Sequence, residues 1–122
     1  MHLAILVLTV VAIEVHQVDA GAEREWDILR LPFCRPGFLV VQGAIVLTEA
    51  VGLVLVARDD RLGDLLGVLL GAGALLGFTL HALLWRRGDP NFRARTSVAS
   101  VAAMGLAGAA TLIVFAGRLL GG

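Results

Sequence analysis

Four long apolar segments, separated by short polar linkers, run along the chain. Each has about the ~20 mostly apolar residues that an α-helix needs to cross ~30 Å of hydrocarbon. Backbone polar groups surrounded by lipid have to be satisfied within their own segment, so all four segments are predicted to be helices. The predicted spans are about residues 3–20, 38–57, 65–85 and 96–117.

The short linkers predict how these helices are arranged. Helices joined by short connections lie antiparallel to their neighbours, which favours an up-down-up-down bundle. We therefore expect an all-α fold, an integral membrane four-helix bundle forming one domain over residues 1–122. The first linker is predicted to hold an amphipathic turn or two from Ala22 to Leu31, ended by Pro32.

The composition agrees with a membrane protein. Hydrophobic residues make up 58% of the chain and the formal net charge is zero, so the lipid bilayer is the expected partner and nothing indicates nucleic acid. All basic residues are Arg, and the abundance of Ala, Gly, Leu and Val suggests a bacterial origin. The single Cys34 excludes an intramolecular disulfide and is interpreted as a free thiol in a loop.

The arginines predict an orientation, because cytoplasmic loops carry an excess of basic residues. The opposite ends of the spans hold only Arg58, Arg61 and Arg118. We therefore expect a multi-pass protein of the inner (plasma) membrane, with both termini outside and the first and third linkers in the cytoplasm. Those two linkers contain Arg24, Arg30, Arg35, Arg86, Arg87, Arg93 and Arg95.

Polar residues inside the spans fall in one layer. At 1.5 Å rise per residue, His16, Gln42, His81 and Ser100 lie at similar depth towards the cytoplasmic side, although each belongs to a different span. An ionised side chain at the bilayer centre costs ~3 kcal/mol or more, so such residues are expected to face protein. The sequence thus predicts a buried polar site. Its candidate ligands are His16, Asp19, His81, Glu49 and Glu14, supported by Gln42, Glu25, Trp26, Ser97 and Ser100.

The spacing along each span predicts which groups meet. His16 and Asp19 are three residues apart and share a helix face, so His81 is expected within reach of this pair. Glu14 lies about 200° around the helix from His16 and is expected to face elsewhere. Glu49 needs a partner from another helix, and Glu14 or His16 are the candidates at its depth.

A divalent metal ion is one species that these side chains could bind. Two imidazoles with one carboxylate form a set that suits ferrous iron, and zinc accepts the same donors. The metal-ligand candidates are therefore His16, Asp19 and His81. The same residues could instead bind a proton or a small polar ligand. Alternatively they have no ligand and form a structural cluster whose hydrogen bonds hold the helices together. The sequence leaves open whether the protein is an enzyme.

The order of these residues resembles a family of small uncharacterised four-helix bacterial membrane proteins. That family has a His-x-x-Asp near the end of its first helix, then Glu-Trp, a later His and a Phe…Ser element. The resemblance implies a buried site without naming its chemistry, and Glu14 and Glu49 are outside its pattern. The corresponding residues here are His16, Asp19, Glu25, Trp26, His81, Phe92 and Ser97.

Two other functions remain open. Small multidrug exporters are similar in length and carry a Glu in the first helix, as Glu14 does here, which suggests a proton-coupled small transporter acting as a homo-oligomer. Glu49 in the second span and the scarcity of aromatic residues for cation binding depart from that pattern. The third possibility is an accessory subunit whose polar residues dock to a larger membrane partner.

Overall fold

The computed structural model describes residues 1–28 and 35–121. All regular secondary structure in these ranges is helical, which confirms the prediction of an all-α protein for the described part of the chain. The helices are α1 (His2–Ala22), α2 (Glu25–Ile28), α3 (Arg35–Ala57), α4 (Arg61–Arg86) and α5 (Arg95–Gly121).

Four of these helices, α1, α3, α4 and α5, are long and apolar enough to cross a membrane. Each contains one predicted span and extends a few residues beyond it. The predicted amphipathic turn corresponds to α2, which covers only four residues. The rest of that turn, with its end at Pro32, and the predicted loop thiol of Cys34 lie outside the described residues.

Glycines bring α4 and α5 together. A methyl group added at Gly71 would lie 2.8 Å from the backbone nitrogen of Leu112 and 2.9 Å from the carbonyl oxygen of Gly108. The ring of Phe115 covers Gly67 in the same way, and a methyl group added there would lie 2.6 Å from the ring. Small residues that let two backbones approach closely are the usual basis of helix packing in apolar surroundings.

Three apolar clusters stack along the interior. The first contains Leu6, Val56, Leu70 and Phe115, and the middle one contains Ile13, Ala74 and Met104. The third contains Ala20, Phe38 and Phe92. We call the end with this third cluster, which also carries α2, the linker end. The opposite end, where α1 begins and α5 ends, is the terminal end.

Polar contacts tie α1 and α4 to α5. In the middle, the hydroxyls of Thr9 and Thr111 are 2.6 Å apart, and Thr9 also donates to the carbonyl of Ala107. At the terminal end, Nε of Arg118 donates to Asp64 at 2.8 Å. The same guanidinium reaches Asp59, which His2 also contacts at 3.4 Å. The sequence offered no prediction of this terminal cluster.

We expect Gly71→Ala to lower the free energy of unfolding by on the order of 1–3 kcal/mol, because the added methyl collides with backbone atoms that cannot rotate away. The matched control is Gly73→Ala on the same helix, where a methyl would meet nothing within 4 Å. Unfolding by sodium dodecyl sulfate in mixed micelles measures both. Equal stability of the two variants would contradict the close approach of α4 and α5.

Candidate functional site

Two histidines face each other inside the protein near the linker end. His16 is on the inward face of α1 and is 4% exposed, and His81 lies in the last part of α4 and is 1% exposed. Their ring centroids are 4.8 Å apart and the ring planes are nearly perpendicular. The structure therefore brings together the two histidines that the sequence predicted at one depth.

A backbone hydrogen bond orients the His81 ring. Its Nδ1 lies 2.8 Å from the carbonyl oxygen of Gly77, one turn earlier in α4. A carbonyl oxygen can only accept, so Nδ1 carries the hydrogen and a neutral ring leaves the lone pair of Nε2 free. Nε2 is buried and has no hydrogen-bond partner within residues 1–28 and 35–121. This arrangement matches the second contact that metal-binding imidazoles usually make.

Glu25 supplies the carboxylate beside these rings. It begins α2, and its Oε1 lies 3.6 Å from Nε2 of His81, with the side chain 12% exposed. Burial raises the pKa of the Glu25 carboxyl above its ordinary value; His81 opposes this increase, and the negative charge of Asp19 adds to it. Ligand atoms of His16, Glu25 and His81 all lie within 4.8 Å of one another.

This set differs from the metal-ligand set predicted from the sequence, which contained Asp19 where the structure has Glu25. The side chain of Asp19 turns towards α5, where its Oδ1 accepts a hydrogen bond of 3.0 Å from the hydroxyl of Ser97. Ser100 in turn donates to the backbone carbonyl of Ser97. Glu25 was predicted only as a supporting residue, because the helical spacing of α1 does not extend across the turn that precedes α2.

Aromatic rings close the site. The Phe92 ring contacts His81 edge-on at 4.6 Å between centroids and lies 6.1 Å from His16. Phe92 is buried although it belongs to the turn between α4 and α5, and its φ of 55° lies in the left-handed region. Trp26 packs on Phe38 at 4.9 Å. The resemblance included Phe92, but nothing in the sequence predicted its contact with both imidazoles.

The two remaining acidic candidates form a separate pair. The carboxyl groups of Glu14 and Glu49 adjoin each other between α1 and α3, and Glu49 is only 2% exposed. Oε1 of each is buried without a hydrogen-bond partner in the part of the chain that the structure describes. Neither residue belongs to the group of His16, Glu25 and His81.

A cavity of about 470 Å³ extends from His16 between α1, α3 and α4. His16 and Glu25 line one end of it, together with the predicted supporting residue Gln42. The remaining wall is mainly apolar. The site is therefore accessible from a space large enough for a small molecule, since ligand pockets have ~300–1,000 Å³.

Fold and site define an α-helical protein with four helices that could cross a membrane and a buried group of two histidines and a glutamate. The chain matches DUF6713, a family of unknown function, over residues 2–118, and it belongs to that family. This agrees with the expectation of an uncharacterised family. Neither a curated protein nor a solved structure matches the chain.

Phe92→Ala is expected to lower the free energy of unfolding by ~3–5 kcal/mol, because a large buried ring is lost. Glycine ordinarily destabilises more than alanine, but at a φ of 55° alanine is strained by ~1–2 kcal/mol and glycine is not. Phe92→Gly should therefore be at least as stable as Phe92→Ala in detergent unfolding. A glycine variant ~1 kcal/mol less stable than the alanine variant would contradict the left-handed turn.

Proposed function

We propose that this chain is a multi-pass membrane protein that binds a divalent transition metal through His16, Glu25 and His81. The observation that carries the proposal is the convergence of three metal-ligating atoms within 4.8 Å in the protein interior. Two of the residues are histidines, and an imidazole nitrogen of each, Nδ1 of His16 and Nε2 of His81, is buried without a hydrogen-bond partner among the described residues. A buried polar atom without a partner is costly, and a bound cation would satisfy both.

The spacing of the ligand atoms supports a metal. Two ligands ~2.1 Å from one tetrahedral ion lie roughly 3.4 Å apart. The separation of 3.6 Å between Nε2 of His81 and Oε1 of Glu25 is close to that value and is long for a direct hydrogen bond. Small side-chain rotations would bring His16 to the same ion.

The donor set indicates the class of metal. Two imidazoles and a carboxylate suit Fe²⁺ or Zn²⁺ and leave coordination positions open. When bound, such a metal would supply Lewis-acid or redox chemistry at these open positions. The protein's own residues then have simple tasks: Gly77 orients His81, Phe92 excludes water, and Asp19 adds a second negative charge near His16.

The outer surface supports membrane insertion. Exposed side chains of the long helices are largely apolar, with Val18 and Leu106 among the most exposed. We propose that the four long helices cross the membrane as an up-down-up-down bundle. The arginine excess in the first and third linkers then places the linker end, and the histidine site with it, on the cytoplasmic side of the inner membrane and both termini outside.

Metal binding is tested with Co²⁺ and Zn²⁺ added to the purified protein in detergent. We expect one ion per chain, with a visible Co²⁺ absorption band from nitrogen and oxygen ligands. His81→Ala and Glu25→Gln should weaken binding by more than ~100-fold, because even the loss of a residue that only hydrogen-bonds to a metal ligand costs ~10–100-fold.

Matched controls separate the site from general surface binding. His2→Ala removes an imidazole at the terminal end, and Glu23→Gln changes an exposed acid two residues from Glu25. Both controls should bind Co²⁺ like the unmodified protein. Equal binding by Glu23→Gln and Glu25→Gln, or no stoichiometric binding by the unmodified protein, would contradict the proposal.

A second candidate function, proton-linked transport, is favoured by the adjoining carboxyl groups of Glu14 and Glu49. Like charges repel in apolar surroundings, so the pair would hold a shared proton that exchanges during transport. In proteoliposomes with an entrapped pH dye, Glu49→Gln should abolish voltage-driven proton flux while Glu23→Gln keeps it. Flux that survives in Glu49→Gln would exclude this function for the pair.

A further inference from the structure

The cavity beside His16 and Glu25 is open because α3 and α4 diverge. Near the terminal end the two helices touch: a methyl at Gly63 would lie 2.6 Å from the backbone nitrogen of Val56. Two to three turns further along α4, a methyl at Gly73 would meet nothing within 4 Å, although Gly73 lines the cavity. Leu69 and Val41, both partly exposed, also line it, so the space is reached from the outer surface between α3 and α4.

Polar and apolar groups are segregated within this cavity. The larger polar side chains of the wall gather towards the linker end and are His16, Gln17, Glu25 and Gln42. Deeper in the cavity, Thr48 is the one hydroxyl among the described lining residues, and it donates to its own helix at the carbonyl of Ala44. The rest of the wall consists mainly of aliphatic side chains and glycines. An occupant would therefore need a polar head and an apolar body.

The charges at the polar end of the cavity indicate which kind of polar head the occupant has. Within residues 1–28 and 35–121, the cavity wall contains no arginine that could neutralise an anion. A divalent metal would be balanced by Glu25 and by the nearby Asp19. Because these two carboxylates already balance the metal, an anionic head would give the buried site a net negative charge, which is costly, whereas an uncharged oxygen can approach the metal without changing that balance.

We infer that the cavity binds a single-chain lipid with an uncharged oxygen head, such as a long-chain alcohol, with the head beside His16 and Glu25 and the chain between α3 and α4. This inference rests on the proposed metal site for the position of the head. The apolar wall and the access between α3 and α4 account for the position of the chain.

The experiment uses the full-length protein in detergent and a long-chain alcohol that carries a photoactivatable diazirine in its chain. Gly73→Leu places a side chain in the cavity and leaves the three metal ligands unchanged. Gly43→Leu is the matched control on α3, where an added methyl also meets nothing within 4 Å but lies outside the cavity wall. Co²⁺ absorption is recorded on the same samples as a separate signal for the metal site.

We expect labelling of α3 and α4 residues in the unmodified protein and in Gly43→Leu, and its loss in Gly73→Leu, with Co²⁺ bound equally by all three. Oleyl alcohol should compete with the probe and shift the Co²⁺ band, and oleate should need at least ~10-fold higher concentration because its charge would make the buried site net negative.

Three results would overturn the inference. Labelling that Gly73→Leu leaves unchanged, or that spreads over the exposed helix faces without competition, would mean adventitious contact with the probe only. Competition by oleate at the same concentration as oleyl alcohol would contradict the inference that the lipid head is uncharged. A missing Co²⁺ band in the unmodified protein would contradict the metal site and, with it, the placement of the head.

Discussion

Polar side chains buried among apolar helices have to find partners within the protein, because neither lipid nor aliphatic side chains can hydrogen-bond to them. Several of the buried polar groups meet this requirement through contacts to α5. Thr9 pairs with Thr111, and Asp64 pairs with Arg118. These contacts, together with the glycine-mediated approach of α4 and α5, form the frame that holds the histidines in place.

The groups that escape this constraint are concentrated in two places. Near the linker end, His16 and His81 each present a buried ring nitrogen without a partner in the described part of the chain, and Glu25 lies beside them. One oxygen of Asp19 and the indole nitrogen of Trp85 are likewise buried without a partner there. Between α1 and α3, the same is true of one oxygen in Glu14 and in Glu49. Burying these atoms without partners destabilises the folded protein, and no contact in the described structure offsets it. We therefore assign a function to these two groups of residues and a stabilising role to the paired polar residues.

Helical periodicity explains how much of this arrangement could be predicted from the sequence. Residues within one long helix have fixed spacing. The four apolar helices and a common depth for His16 and His81 could therefore be predicted from the number of residues along each apolar segment. The position of Glu25 depends on the turn at Glu23 and Arg24, where Arg24 has a φ of 54°. No period extends through such a turn, so Asp19 was chosen as the third ligand and Glu25 was not.

The same reasoning accounts for the role of Phe92. Its ring reaches both imidazoles only because the turn between α4 and α5 holds a large residue at a φ of 55°. The position of Phe92 after Pro90 and Asn91 suggests from the sequence that its ring packs the linker against the helices, but not which side chains the ring contacts. Contacts made by turns with left-handed residues thus complete a site whose helical part can be predicted, and the separation between α3 and α4 that opens the cavity is likewise a property of packing.

X-ray absorption at the zinc edge, recorded on the Zn²⁺-loaded protein in detergent, tests the central claim most directly. The arrangement of His16, Glu25 and His81 predicts nitrogen and oxygen ligands at ~2.0–2.2 Å from the zinc, with the more distant scattering of two imidazole rings. A spectrum that requires sulfur ligands, or one without imidazole scattering, would contradict a metal site built from these three residues.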